Sequence, residues 1–170
     1  MATTCDNKSV GVIIRKGGKF ALVKRINFPV AYAFIAGHID GENPEVQAKN
    51  EALEEGGITV TKLKKVLHES FKNPCKRDGG LGHDWIVFEA TEWHGELKAG
   101  SDAKKASWES IEKIRRLARR SDSFLIKHGF TPHHFDLAKA TRIIAIDPTW
   151  EKSPGLELVW LVMLRRIDII

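Results

Sequence analysis

The sequence predicts an α/β fold within a single domain, residues 1–170, in which short strands surround one short helix and a mostly helical part follows. Three observations carry this. Residues 10–14 and 20–23 are apolar runs joined across Gly17-Gly18, residues 85–90 are a third apolar run, and residues 44–55 between them bear helix signals at both ends. The first two runs read as a β-hairpin, because a Gly-Gly pair adopts the positive φ angles of a tight hairpin turn without strain. Residues 32–35, Tyr-Ala-Phe-Ile, then lead into a turn-rich stretch beginning at Gly37.

The helix after that stretch is well punctuated. Asn43 suits the N-cap, Pro44 the first helical position and Glu45 the positive end of the dipole, while Gly56-Gly57 supplies a left-handed stop. Within it Glu51, Glu54 and Glu55 stand at i, i+3 and i+4, which puts three carboxylates on one face. Val46 and Leu53 flank them on one side, Ala48 and Ala52 on the other. Like charges this close repel. A divalent cation reverses the sign of that cost, since Mg²⁺ or Mn²⁺ takes hard oxygen ligands close together. The plainer reading is a solvated acidic face.

Downstream, Thr59-Val60, residues 63–71 and residues 85–90 are strand-like, with a loop over 72–82, and the last run is aromatic and β-branched enough for a central strand. Residues 93–97 end the sheet region. Trp108 to Ile111 opens a helix with Ile111, Ile114 and Leu117 at core-facing spacing. Thr131-Pro132 begins a further helix through about Ile146, and Asp147-Pro148 stops it. Pro154-Gly155 precedes a final segment with Leu158, Trp160, Leu161, Leu164 and Ile167 on an apolar face. It is too short, and too interrupted by Arg165, Arg166 and Asp168, to span a membrane, and reads as a packing helix or a homodimer contact.

A hydrophobic content of 42% is ordinary for a globular domain, and the net charge of +5 mildly favours anionic ligands. The first eight residues hold no apolar run of signal-peptide type. Cys5 and Cys75 make neither a disulfide framework nor a zinc spacing, so a reduced, cytoplasmic setting is expected. Lys113, Arg115, Arg116, Arg119, Arg120 and Lys127 crowd one stretch. No aromatic residues are interleaved as a stacking platform requires, so a solvated face is favoured over a nucleic-acid partner. His128, His133 and His134 lack companions at metal spacing, and His83-Asp84 suits either a ligand contact or a strand-initiating turn.

Residues 37–58, GHIDGENPEVQAKNEALEEGGI, resemble the signature of the Nudix hydrolases: a Gly, five residues, a Glu, seven residues, then Arg-Glu-apolar-x-Glu-Glu-x-Gly-apolar. Glu42, Glu51, Glu54, Glu55, Gly57 and Ile58 match. Four residues instead of five separate Gly37 from Glu42, Asn50 stands at the Arg position, and Ala36 stands where many members have a further Gly. The resemblance covers about residues 8–118 and implies an α/β/α sandwich with a mixed β-sheet, followed by a C-terminal helical extension over about 121–170. It also implies hydrolysis of a nucleoside diphosphate linked to another moiety, with Mg²⁺ or Mn²⁺ held by the Gly37 carbonyl, Glu51, Glu54 and Glu55. Glu42 would then support the loop. Glu96 and Asp102 match later-loop acids that complete such sites or serve as base, and Lys24 and Arg25 are candidates for phosphate contact. The alternative is a Nudix-fold module that binds a nucleotide without cleaving it, which Asn50 and the shortened loop favour.

Overall fold

The computed structural model describes residues 4–101 and 103–170. The elements run in the order β1 (Lys8–Lys16), β2 (Lys19–Arg25), β3 (Tyr32–Ala33), β4 (Ile35–His38), α1 (Pro44–Gly56), β5 (Ile58–Phe71), β6 (His83–Gly95), β7 (Ala103–Ser110), α2 (Ile111–Lys127), α3 (Leu137–Ile144), α4 (Pro148–Lys152) and α5 (Leu158–Arg166). The hairpin forms as its glycines predict, with Lys16 opposite Lys19 and both Gly17 and Gly18 at positive φ.

The sheet is mixed. Its order is β3-β2-β1-β6-β5, with β4 also paired to β1 and β7 to β2. β1 runs parallel to β6 but changes its other partner part-way: residues 9–12 pair with β4, and only residues 15 and 16 pair with β2. Cross-strand partners share a face, so Ile35 and Gly37 lie on the side of Val12 and Val10, and Ala36 on the side of Gly11.

Those two sides carry different helices. α1 covers the first, where Glu51 presses on Gly37 and Gly56 lies against Ile35. α5 covers the second, where the Trp160 ring sits over Gly11 so closely that a Cβ there would stand 2.6 Å from it. Trp160 is fully buried and packs on Phe34 and Trp85 with ring centroids 5.0 and 6.0 Å apart. The result is an α/β/α sandwich.

α1 is capped as its sequence foretells: the Asn43 side chain accepts from the N–H groups of Glu45 and Val46, and Gly57 ends the helix in the left-handed conformation. Three expectations need correction. Trp108 belongs not to a helix but to β7, a strand beyond the expected end of the sheet at residues 93–97, and the helix starts three residues later at Ile111 behind the N-cap Ser110. Thr131-Pro132 forms a turn; the helix expected there begins at Leu137, because Asp136 provides the cap. Asp147-Pro148 ends that region but also opens α4, with Asp147 accepting from the Thr149 N–H. Residues 121–170 form the expected C-terminal helical extension. Their proposed boundary falls inside α2, and α5 is buried on nearly all sides as the second helical layer. Among the described residues no helix is long and apolar enough to cross a membrane.

Candidate active site

Three carboxylates converge where β4 meets α1. Glu51 lies so close to Gly37 that a Cβ on that residue would stand 1.8 Å from Oε1, so only glycine leaves room for the carboxylate. Its Oε1 accepts from Gln47 Nε2 at 2.8 Å, one turn earlier on α1. Glu55 Oε2 accepts from the Ala36 N–H at 3.1 Å. Burial pushes the Glu55 carboxyl up to about 7; the Ala36 N–H and Arg25 pull the other way, and Glu51 and Glu157 push it higher.

Glu157 is the third acid. Gly155 approaches α2 closely, its carbonyl accepts from the Tyr32 N–H, and the Glu157 N–H donates to the Tyr32 carbonyl. The Ser121 hydroxyl donates to the Leu156 carbonyl at 2.7 Å from the other side. Residues 155–157 are thus held as an extra strand beside β3. They set Glu157 at the start of α5, where its side chain caps nothing and turns toward Arg25. Glu157 Oε2 is buried, lies 3.5 Å from Arg25 Nη1 and accepts no hydrogen bond among the described residues. Burial raises this carboxyl above its ordinary range, and Arg25 offsets part of the effect. Arg25, Ala36, Gly37, His38, His83 and Glu157 line a cavity of about 80 Å³ beside the acids. Glu51 and Glu55 thus present oxygen donors of the kind a hard divalent cation takes, with Glu157 and Arg25 alongside.

The sequence matches the NUDIX domain over residues 6–128. The chain belongs to the Nudix family. It is 34% identical over 113 residues to the ADP-ribose pyrophosphatase of Methanocaldococcus jannaschii, a match that covers 65% of each protein, slightly under two thirds of that relative. Solved structures with the same fold include the MutT protein from Bacillus halodurans (TM-score 0.54, 21% identity, 77% of this chain and 84% of that one) and the NUDIX domain of Shewanella oneidensis NrtR complexed with ADP ribose (TM-score 0.51, 14% identity, 84% and 89%).

Within the Nudix signature the structure brings Gly37, Glu51 and Glu55 together with Arg25. Glu54 lies on the same helix but is exposed. Asn50 is exposed as well, so Gln47 is the neighbour that donates to Glu51. Glu42 Oε1 accepts from the Asn43 N–H at 2.7 Å, bracing the start of α1. Lys24 is held over the Tyr32 ring together with Lys113, at 5.5 and 5.7 Å from its centroid. Glu96 follows β6, with its side chain 84% exposed and its carboxylate 3.7 Å from Lys98 Nζ. Asp102 lies outside the described residues.

Sequence reasoning missed Glu157. Its one signal was a lone acid at the head of the apolar run Leu158 to Leu164. The spacing of the cysteines and histidines also gave no sign that the fold gathers Cys5, His38, Cys75 and His83 so that one ligand atom from each lies within 4.8 Å of the others. His83 turns inward to this group, whereas Asp84 faces β5 and accepts from His68 and Ser70. Arg115, Arg116, Arg119 and Arg120 line the exposed face of α2.

Proposed function

We propose that this Nudix protein is a divalent-cation-dependent pyrophosphohydrolase that cleaves the P–O–P bridge of a nucleoside diphosphate linked to another moiety. The observation that carries the reading is the buried Glu55 carboxyl, set against Glu51 and Glu157 with Arg25 as the adjacent cation. An acid cluster of this kind costs stability unless a ligand uses it. Glu51, Glu55, the Gly37 carbonyl and, from the exposed face, Glu54 would hold Mg²⁺ or Mn²⁺. The bound ion would screen the charge of the pyrophosphate, orient it and acidify water.

The chain's own groups do the rest. Ala36 holds Glu55 Oε2, which leaves Oε1 for the cation; because the free carboxyl is pushed up to about 7, binding of the ion near neutral pH would displace a proton from it. Arg25 at the cavity mouth offers a guanidinium to a phosphate once Glu157 releases it. Glu96 and Asp102 are the acids proposed to approach from the later loop, and Glu96→Gln and Asp102→Asn should be compared for loss of turnover. ADP-ribose is the first substrate to test, on the strength of the name of the archaeal relative. Free thiols on Cys5 and Cys75 suit a reducing, cytoplasmic setting.

The test is a screen of nucleoside diphosphate derivatives with Mg²⁺ or Mn²⁺, following released mononucleotide, with Glu55→Gln in parallel. Turnover should fall by roughly a hundredfold or more in the variant. Binding of the same nucleotides without hydrolysis at any metal concentration would instead establish a non-catalytic module.

A further inference from the structure

We propose that Cys5, His38, Cys75 and His83 form a four-ligand site for Zn²⁺, with ligands distinct from the carboxylate cluster though bordering the same cavity. These residues come from four distant parts of the chain: the segment before β1, the end of β4, the loop after β5 and the first position of β6. Two thiols and two imidazoles are a donor set that zinc favours, whereas Mg²⁺ prefers oxygen.

The distances agree with one shared ion. A tetrahedron with Zn–S of about 2.3 Å and Zn–N of about 2.05 Å has edges of about 3.8 Å between sulfurs and about 3.6 Å between sulfur and nitrogen. Cys5 Sγ lies 3.6 Å from Cys75 Sγ and 3.2 Å from His83 Nε2. Three neighbouring contacts prepare the ligands. His83 Nδ1 lies 2.9 Å from the Asn73 carbonyl, so the proton belongs on that nitrogen and the Nε2 lone pair faces the sulfurs. The N–H groups of Asn7 and Arg77 each point at a cysteine Sγ at 3.4 Å and would help stabilise a metal-bound thiolate. Gly80 leaves the sulfurs their space, since a Cβ there would stand 2.3 Å from Cys75 Sγ.

The decisive observation is His38. Its Nε2 is buried and has no hydrogen-bond partner among the described residues, although its ring is packed edge-on against His83 at 5.2 Å. An orphaned imidazole nitrogen beside two thiols carries a desolvation cost that a metal bond would remove. Because His38 directly follows Gly37, the ion would also brace the strand end against which Glu51 rests.

The experiment is metal analysis of the protein purified and dialysed with its thiols reduced, followed by Co²⁺ reconstitution. One tightly held zinc per chain is expected. The cobalt form should show thiolate-to-metal charge transfer and the intense visible bands of a tetrahedral site. Both signatures should vanish in Cys75→Ser, whose loop position spares the fold, and in His83→Gln. Zinc affinity should drop by more than about a hundredfold, since even outer-shell partners are worth about 10–100-fold. Glu55→Gln should retain both signatures, which separates this site from the carboxylates. Absence of stoichiometric zinc in the reduced protein, zinc retained equally by Cys75→Ser, or isolation of the chain with a Cys5–Cys75 disulfide in place of metal would each overturn the proposal.

Discussion

Glu55→Gln offers a quantitative test of the site with the cation removed. The Glu55 carboxyl titrates at about 7 in the folded protein, against an ordinary value of 4.5. Because the folded pKa is raised, the unfolded chain releases this proton first, and stability falls as pH climbs from the ordinary value through the folded one. At 1.36 kcal/mol per pKa unit the full loss is about 3 kcal/mol, nearly complete by about pH 8. Near pH 5 it is about 1 kcal/mol. Glutamine cannot ionise, and its oxygen can still accept from the Ala36 N–H. The stability advantage of Glu55→Gln over the parent should therefore widen by about 2 kcal/mol between about pH 5 and about pH 8 in chelator. Urea unfolding at the two pH values measures this directly. Added Mg²⁺ should stabilise the parent at the higher pH and leave the variant nearly unchanged, as binding requires an ionised ligand. A pH dependence identical in parent and variant would refute the assignment of the buried charge to Glu55.

Three further substitutions probe the surroundings. Gly37→Ala places a Cβ 1.8 Å from Glu51 Oε1, so the carboxylate must move; a metal titration of the rate should show roughly tenfold more Mg²⁺ needed, with the thermal midpoint little changed. Arg25→Met leaves Glu157 buried without its cation and should cost about 2–4 kcal/mol at neutral pH by urea unfolding. That cost should shrink in acid, where Glu157 is protonated. Gly11→Ala drives a methyl into the Trp160 ring and should cost about 1–3 kcal/mol, seen as a drop of several degrees in the thermal midpoint.

The parts of this fold that were legible in the sequence are those written in local chemistry. Asn43, Pro44 and Gly57 announce α1 because a cap acts within a few residues, and Gly17-Gly18 announces the hairpin for the same reason. Glu51 and Glu55 were legible because helical spacing alone brings them near each other. β7 was missed because its residues acquire their conformation by pairing with β2 across the molecule, while Ser110-Ile111 next to it carries a true helix start. α5 was read as having one apolar face, yet its environment is set by the sheet beneath and α2 and α3 around it. Glu157 and the Cys5, His38, Cys75, His83 group were illegible because nothing in their spacing encodes the meeting; the sheet register and the strand-like docking of residues 155–157 create it.

That docking has a consequence for the order in which the molecule is assembled. A chain extending only through α2 already contains the hairpin, the forked sheet and α1, yet the groove over Gly11 and Trp85 remains bare and Arg25 has no Glu157 to face. Several of the closing contacts join residues more than a hundred positions apart, as Trp150 to Val30 does at a separation of 120. Pairings so remote form late and slowly, since a long loop must be closed before any of them stabilises the chain. The full acid cluster thus exists only once residues 155–157 have docked: without that docking the molecule displays the sequence signature but has no Glu157 beside Arg25.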